Sequence, residues 1–310
     1  MKSPVCSAVF LASGGVEQLA VSLDAAVLQL DGDIEAIAVD DGSSSAASVW
    51  LAQRRRELPA LRIVEIEGAG AAQARNAAIE AARAPLIAFI ESGDWWWPGK
   101  IAAQAAYHEA HPETALSFTD YLLVTADGES LGSCFEYWQP ALRQRRKAGY
   151  FRLDGALPAL IAMNLAGTST VAATKAALEK AGGFRSLDAA EDWDLWLRLA
   201  GEAPAACSKA VTATCLLRTP SPAQQRARVA AMEQIVSPYE ESSAASVRNA
   251  AAKARARLDA VCAELARPAG LCAPRSRYRP QAFMTTPPAQ PGKRTPAGFL
   301  NEALYFVGPC

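Results

Sequence analysis

Between residues 5 and 90 short apolar runs alternate with helix-length stretches, and no other feature restricts the possible folds of this chain as much. The runs 5–12 (VCSAVFLA), 34–39 (IEAIAV), 61–66 (LRIVEI) and 86–90 (LIAFI) have strand length and carry few charges. The intervening segments 16–29, 46–57 and 71–83 have helical length, the last opening after the Gly68-Ala69-Gly70 turn. Strands of this kind need cover on both faces, and a helix between each pair supplies it. The expected fold is α/β: a doubly wound, mostly parallel sheet flanked by helices. Ligands bind such sheets beyond the carboxyl ends of the strands, so the loops after residues 12, 39, 66 and 90 are where chemistry is expected.

Further along, the pattern predicts a helix over 98–110 begun by Pro98, strands near 115–119 and 121–125 with a turn at Asp127-Gly128, and a helix at 155–163. A strand near 168–173 (TSTVAA), a helix at 174–181 and a helix at 190–200 complete the compact part. Residues 223–266 are rich in alanine and charge and read as one or two helices. After Pro268 the density of Pro, Arg and Ser rises, so 268–298 reads as extended or partly disordered, and 299–306 is apolar enough to dock back. The organisation is thus a compact unit over 1–220, a helical extension over 221–267 and a Pro-rich tail over 268–310.

Composition narrows the chemistry. His108 and His111 are the only histidines, which excludes a three-histidine zinc site and leaves carboxylates as the natural acid and base groups. Their i, i+3 spacing before Pro112 reads as a helix end rather than a metal pair. The seven cysteines form no CxxC pair and read as reduced thiols. A net charge of −1 gives no global pull toward nucleic acid. No run approaches the roughly 20 apolar residues of a membrane helix, and the N-terminal apolar run reads as a first strand rather than a signal peptide, so a cytoplasmic location is expected.

Three acidic segments could carry the reaction. Asp40-Asp41-Gly42-Ser43-Ser44 ends a strand, where carboxylates can accept hydrogen bonds from a ribose or a base; Asp-Gly-Ser equally caps the next helix. Glu91-Ser92-Gly93-Asp94-Trp95-Trp96-Trp97-Pro98 follows an apolar strand, and its two acids could place oxygens around a divalent cation that also holds a diphosphate. Three consecutive tryptophans are too many for one buried face, so at least one is expected to be exposed. Glu191-Asp192-Trp193-Asp194 opens an amphipathic helix, where acids complement the dipole and where Asp192 would also suit a general base.

In order, IAVDDGSSS (37–45), GAGAAQARNAAIEAA (68–82), PLIAFIESGDWWWPGKIAAQ (85–104), TSTVAATKAALEKAGGF (168–184) and AEDWDLWLRLA (190–200) resemble the successive motifs of the family 2 glycosyltransferases, inverting enzymes of the GT-A fold. The resemblance implies transfer of a sugar from a nucleoside-diphosphate donor to a saccharide or lipid-linked hydroxyl, with Mn2+ or Mg2+. It implies that Asp40, Asp41 and Arg75 contact the nucleotide, that Glu91 and Asp94 hold metal and diphosphate, and that Asp192 is the catalytic base. Three departures stand out: Gly93 replaces the central aspartate of the usual Asp-x-Asp-Asp, Leu11-Ala12-Ser13-Gly14 lacks the usual Pro-Thr/Ala-Tyr-Asn type ending of the first strand, and Arg218-Thr219-Pro220 lacks the usual histidine. They motivate the alternative of a degenerate homologue that binds a sugar nucleotide or a partner without catalysis. The basic cluster at 143–147 (RQRRK) reads as a solvated loop, with an anionic acceptor or a lipid phosphate surface at the inner face of the membrane as the alternative.

Overall fold

The computed structural model describes residues 4–29, 34–68, 70–138 and 149–266. The first half follows the expected alternation: β1 (Cys6–Leu11), α1 (Val16–Val27), β2 (Ile34–Asp40), α2 (Ser45–Glu57), β3 (Leu61–Glu65), α3 (Ala71–Ala81) and β4 (Leu86–Phe89). β2 is buried along its whole length and β1 along all but its last residue, as two-sided cover by helices requires. The second half comprises β5 (Trp95–Trp96), α4 (Lys100–Ala110), β6 (Leu116–Val124), β7 (Ser130–Ser133), α5 (Cys134–Trp138), β8 (Tyr150–Arg152) and α6 (Ala156–Ala162). A 3-10 turn (Thr168–Thr170), β9 (Ala172–Thr174), α7 (Lys175–Lys180), α8 (Glu191–Glu202), β10 (Ala205–Leu216), α9 (Pro222–Glu240) and α10 (Ala245–Leu265) follow.

One sheet runs in the order β3-β2-β1-β4-β9-β6-β10-β5, with β7 on β6 and β8 on β10. β1 to β4 pair in parallel, and so do β6 and β10. β9 is antiparallel to both β4 and β6, so it joins two parallel blocks that point the same way. The carboxyl ends of β1, β2, β4, β6 and β10 therefore share one edge.

Several local expectations are corrected. The strands read at 115–119 and 121–125 are one strand, β6. The stretch 168–173 is half 3-10 turn and half strand. α4 starts at Lys100 because Pro98 lies in a turn whose Gly99 has φ +82°. β10 has no counterpart in the sequence reading: AACSKAVTATCL holds small and hydroxylated side chains with no regular alternation, and its place is set by a long parallel pairing with β6. α9 opens on a capping box in which the Ser221 hydroxyl accepts from Gln224 N (3.3 Å) and the Gln224 side chain accepts from Ser221 N (2.8 Å). Val229, Met232, Ile235 and Val236 of α9 and Ala251, Ala254 and Leu258 of α10 belong to the same apolar core as the sheet. The basic cluster at 143–147 and the segments 268–298 and 299–306 lie outside the described residues.

Candidate functional site

The turn after β4 is built by partners distant in sequence. Gly93, at φ +90°, donates its N–H to Gln18 O (3.1 Å) and to Ser22 Oγ (2.8 Å), while the Ser22 hydroxyl donates to Glu91 O (2.9 Å). A Cβ at Gly93 would lie 3.1 Å from Leu216 Cδ2 and 3.6 Å from Gln18 Cβ. An aspartate there would need a left-handed backbone and a displaced Leu216.

Asp94 is fully buried. Its Oδ2 accepts from Ser169 Oγ (2.5 Å) and its Oδ1 from Leu216 N (2.9 Å), so it ties the turn to the 3-10 turn and to the end of β10. Burial raises its pKa to about 7 against these hydrogen bonds and the nearby Arg218. Arg218 donates to the carbonyl of Ser92.

Arg75, on α3, is also buried. Its guanidinium bridges Glu91 Oε1 and Glu191 Oε1, each at 2.5 Å, and stacks 5.3 Å from the Phe184 ring centroid. Burial alone would lower its pKa, but Glu91, Glu191 and Asp192 outweigh that and raise it. A cleft of about 370 Å3 opens beside the pair, lined by Gly70, Gln73, Ser186, Asp188 and Glu191.

Asp192 sits in the first turn of α8, two residues after Ala190, whose φ of +59° is the only positive value outside glycine among the described residues. Its Oδ2 accepts from Thr168 Oγ1 (2.6 Å) and its Oδ1 from Trp193 N (2.7 Å). Burial first, then Glu191, raise its pKa to about 6, while Thr168, Arg75 and Arg228 pull it down. Asp40 and Asp41 close the turn after β2: their Oδ1 atoms accept from Gly42 N and Ser43 N, both at 3.0 Å. The capping role falls to Ser44, which accepts from Ala47 N at 3.3 Å.

Glu91, Asp94, Arg75 and Asp192 are thus gathered by α1, the 3-10 turn and α8, with Asp40 and Asp41 on the same edge of the sheet. The linking residues Ser22, Thr168, Ser169 and Glu191 went unassigned in the sequence; the hydroxyl run Thr168-Ser169-Thr170 inside an apparent strand was the available signal. Of the tryptophans, Trp96 is fully buried with its indole donating to Ser169 O (2.6 Å), and Trp97 is 39% exposed with its indole on Thr214 Oγ1 (3.0 Å). His108 is buried against Ser117 Oγ (3.0 Å) and His111 stacks on Tyr107, so both lie apart from these carboxylates.

The acidic pair does not fit a divalent cation as it is arranged. Both Asp94 oxygens accept from protein donors, Glu91 is held by Arg75, and among the described residues no three His, Cys, Asp or Glu side chains group to hold a metal ion.

A mixed sheet with acids at the carboxyl edge, and a buried acid at the start of the helix before the last long strand, defines a GT-A-like fold. S. aureus TarS 1–349 in complex with UDP-GlcNAc superposes with a TM-score of 0.61 at 14% identity, covering 81% of this chain and 71% of that one. The mannosyltransferase PcManGT from Pyrobaculum calidifontis, in complex with GDP-Man and Mn2+, gives 0.57 at 17% identity, covering 84% and 76%. Residues 14–152 match the model of the family Glycosyl transferase family 2. A putative teichuronic acid biosynthesis glycosyltransferase, TuaG of Bacillus subtilis (strain 168), is 36% identical over 98 residues, which is 31% of this chain. That match spans 38% of the relative's own length. Among the described residues no helix is long and apolar enough to cross a membrane.

Proposed function

We propose that this chain is an inverting glycosyltransferase that moves a sugar from a nucleoside-diphosphate sugar to a hydroxyl of a saccharide or lipid-linked acceptor in polysaccharide or glycolipid synthesis. The carboxylate of Asp192 carries the reading. With a pKa raised to about 6 it is ionised at neutral pH yet more basic than a free carboxylate, as a general base requires. Thr168 and the Trp193 N–H fix its orientation. In the reaction Asp192 takes the proton of the acceptor hydroxyl, the acceptor oxygen bonds to the anomeric carbon, and the bond to the diphosphate breaks, its electron pair leaving with the phosphate oxygen. Attack from the face opposite the leaving group inverts the centre.

Asp40 and Asp41 serve the nucleotide in this reading, since each Oδ2 has no donor among the described residues and can accept from a ribose or a base. Arg75 positions Glu91 and Glu191 and offsets the negative charge around Asp192. No step is assigned to a cation on Glu91 and Asp94, for the geometric reason given above. The same proposal places transfer in residues 1–220, with 221–267 as an extension that completes the acceptor side, in the cytoplasm at the inner face of the membrane.

The second reading is a homologue that binds sugar nucleotides without catalysis, favoured by Gly93 and by the commitment of Asp94 to structural hydrogen bonds. Titration with UDP- and GDP-sugars, followed by transfer assays, separates the two. Asp192→Asn is expected to lower turnover by about 10^2–10^4-fold with nucleotide affinity kept. No binding of any donor would sink both readings; binding without turnover by the wild type would leave the second.

A further inference from the structure

Beside the loop that supports Asp192, polar atoms of two side chains have no hydrogen-bond partner among the described residues. Both amide atoms of Asn164 are buried with no hydrogen-bond partner, and so is Arg257 Nε. Among the described residues the one polar contact of Arg257 is Nη1 to Met163 Sδ, at 2.8 Å. Two residues earlier on α10, Arg255 behaves differently: it pairs with Glu233 at 3.2 Å and Glu240 at 2.8 Å. Arg257 has no such carboxylate among the described residues, and burial alone lowers its pKa to about 10. Both side chains are only half-buried as a whole, yet their unpartnered polar atoms are fully enclosed, which is costly unless something else meets them.

Their position indicates what that is. Met163 and Asn164 begin the segment that runs directly into Thr168, whose hydroxyl holds Asp192. α6 lies under this segment and against α8, with Trp193 Nε1 donating to Leu160 O at 2.9 Å. α9 contributes Arg228, whose charge is felt at Asp192. The helical extension thus brings positive charge to the neighbourhood of the base.

We propose that Arg257 and Asn164 form a subsite for an anionic group, a phosphate or a carboxylate, carried by the acceptor whose hydroxyl Asp192 deprotonates. This rests on the transferase reading above and adds the acceptor's chemical class. The guanidinium fork matches an oxyanion, the Asn164 amide N–H adds a donor, and its carbonyl can take a neighbouring hydroxyl of the acceptor. It also gives α10 a role in selecting the acceptor.

The test is calorimetric titration of the full chain, first with UDP and GDP and then, at saturating nucleotide so that the donor site is filled, with inorganic phosphate, octyl phosphate and glucuronate. At least one anion is expected to bind the wild type and to bind about tenfold more weakly to Arg257→Gln and to Asn164→Ala. Arg257→Lys keeps the charge without the fork and should retain part of the affinity; it serves as well if the Gln variant fails to fold. Tighter binding of octyl phosphate than of glucuronate assigns the anion to a lipid phosphate, and the reverse to an acidic sugar. If no anion binds the nucleotide-loaded wild type, or the folded variants bind as the wild type does, the subsite is refuted while the transferase reading stands. If neither nucleotide binds the wild type, the transferase reading itself fails.

Discussion

Replacing Asp94 by asparagine is expected to stabilise the protein at pH 8 and to change little near pH 4. Asp94 is wholly enclosed, and its pKa of about 7 in the fold stands against 3.8 for the free side chain. Because the folded value lies above the unfolded one, the folded state holds the proton more tightly. Stability is therefore lost as pH rises from about 4 to about 7, and the full penalty persists above that. Three pH units at 1.36 kcal/mol each put the penalty on the order of 4 kcal/mol. Asparagine never ionises and keeps both contacts: its carbonyl can accept from Leu216 N and its amide can donate to Ser169 Oγ. Urea denaturation of both proteins from pH 5 to 8 measures the difference, and the contribution of Asp192 cancels because both carry it. A stability difference that does not grow with pH would refute the assignment of the buried charge to Asp94. Loss of stability in the variant at pH 8 would show that the ionised carboxylate is needed, as it would be if it held a cation.

Four other outcomes follow from the same geometry, counting the loss of turnover in Asp192→Asn. Arg75→Met leaves Glu91 and Glu191 facing each other without their bridge and should cost about 3 kcal/mol in denaturation midpoint analysis; removal of the positive charge also raises the Asp192 pKa, so the acid limb of the pH–rate profile should move above 6. Ala190→Gly relieves a left-handed backbone at φ +59° and should add about 1 kcal/mol of stability, read from the same denaturation curves. Nucleotide affinity should survive excess EDTA, since Arg75 holds Glu91; a loss that Mn2+ restores would show that the nucleotide binds with a cation and would refute that expectation.

The order of the first four strands and three helices was legible because each run carries its own periodicity, and two-sided burial leaves few arrangements for strands this apolar. The acidic segments could be placed at strand ends and a helix start for the same local reason. β10 was not legible: its small, hydroxylated residues carry little local preference, and its alignment with β6 is a long-range pairing.

Local sequence also left open what each carboxylate does. Asp94 is set by Leu216, 122 residues away, and Glu191 by Arg75, 116 residues away. Glu35, another buried acid, accepts from Ser7 and from the Arg83 side chain. Four acids of one chemical type thus become a buried latch, an arginine-bound partner, a structural acceptor and the proposed base. Charge in a low-dielectric interior is governed by the burial and the donors around it, and only the tertiary structure brings those donors together.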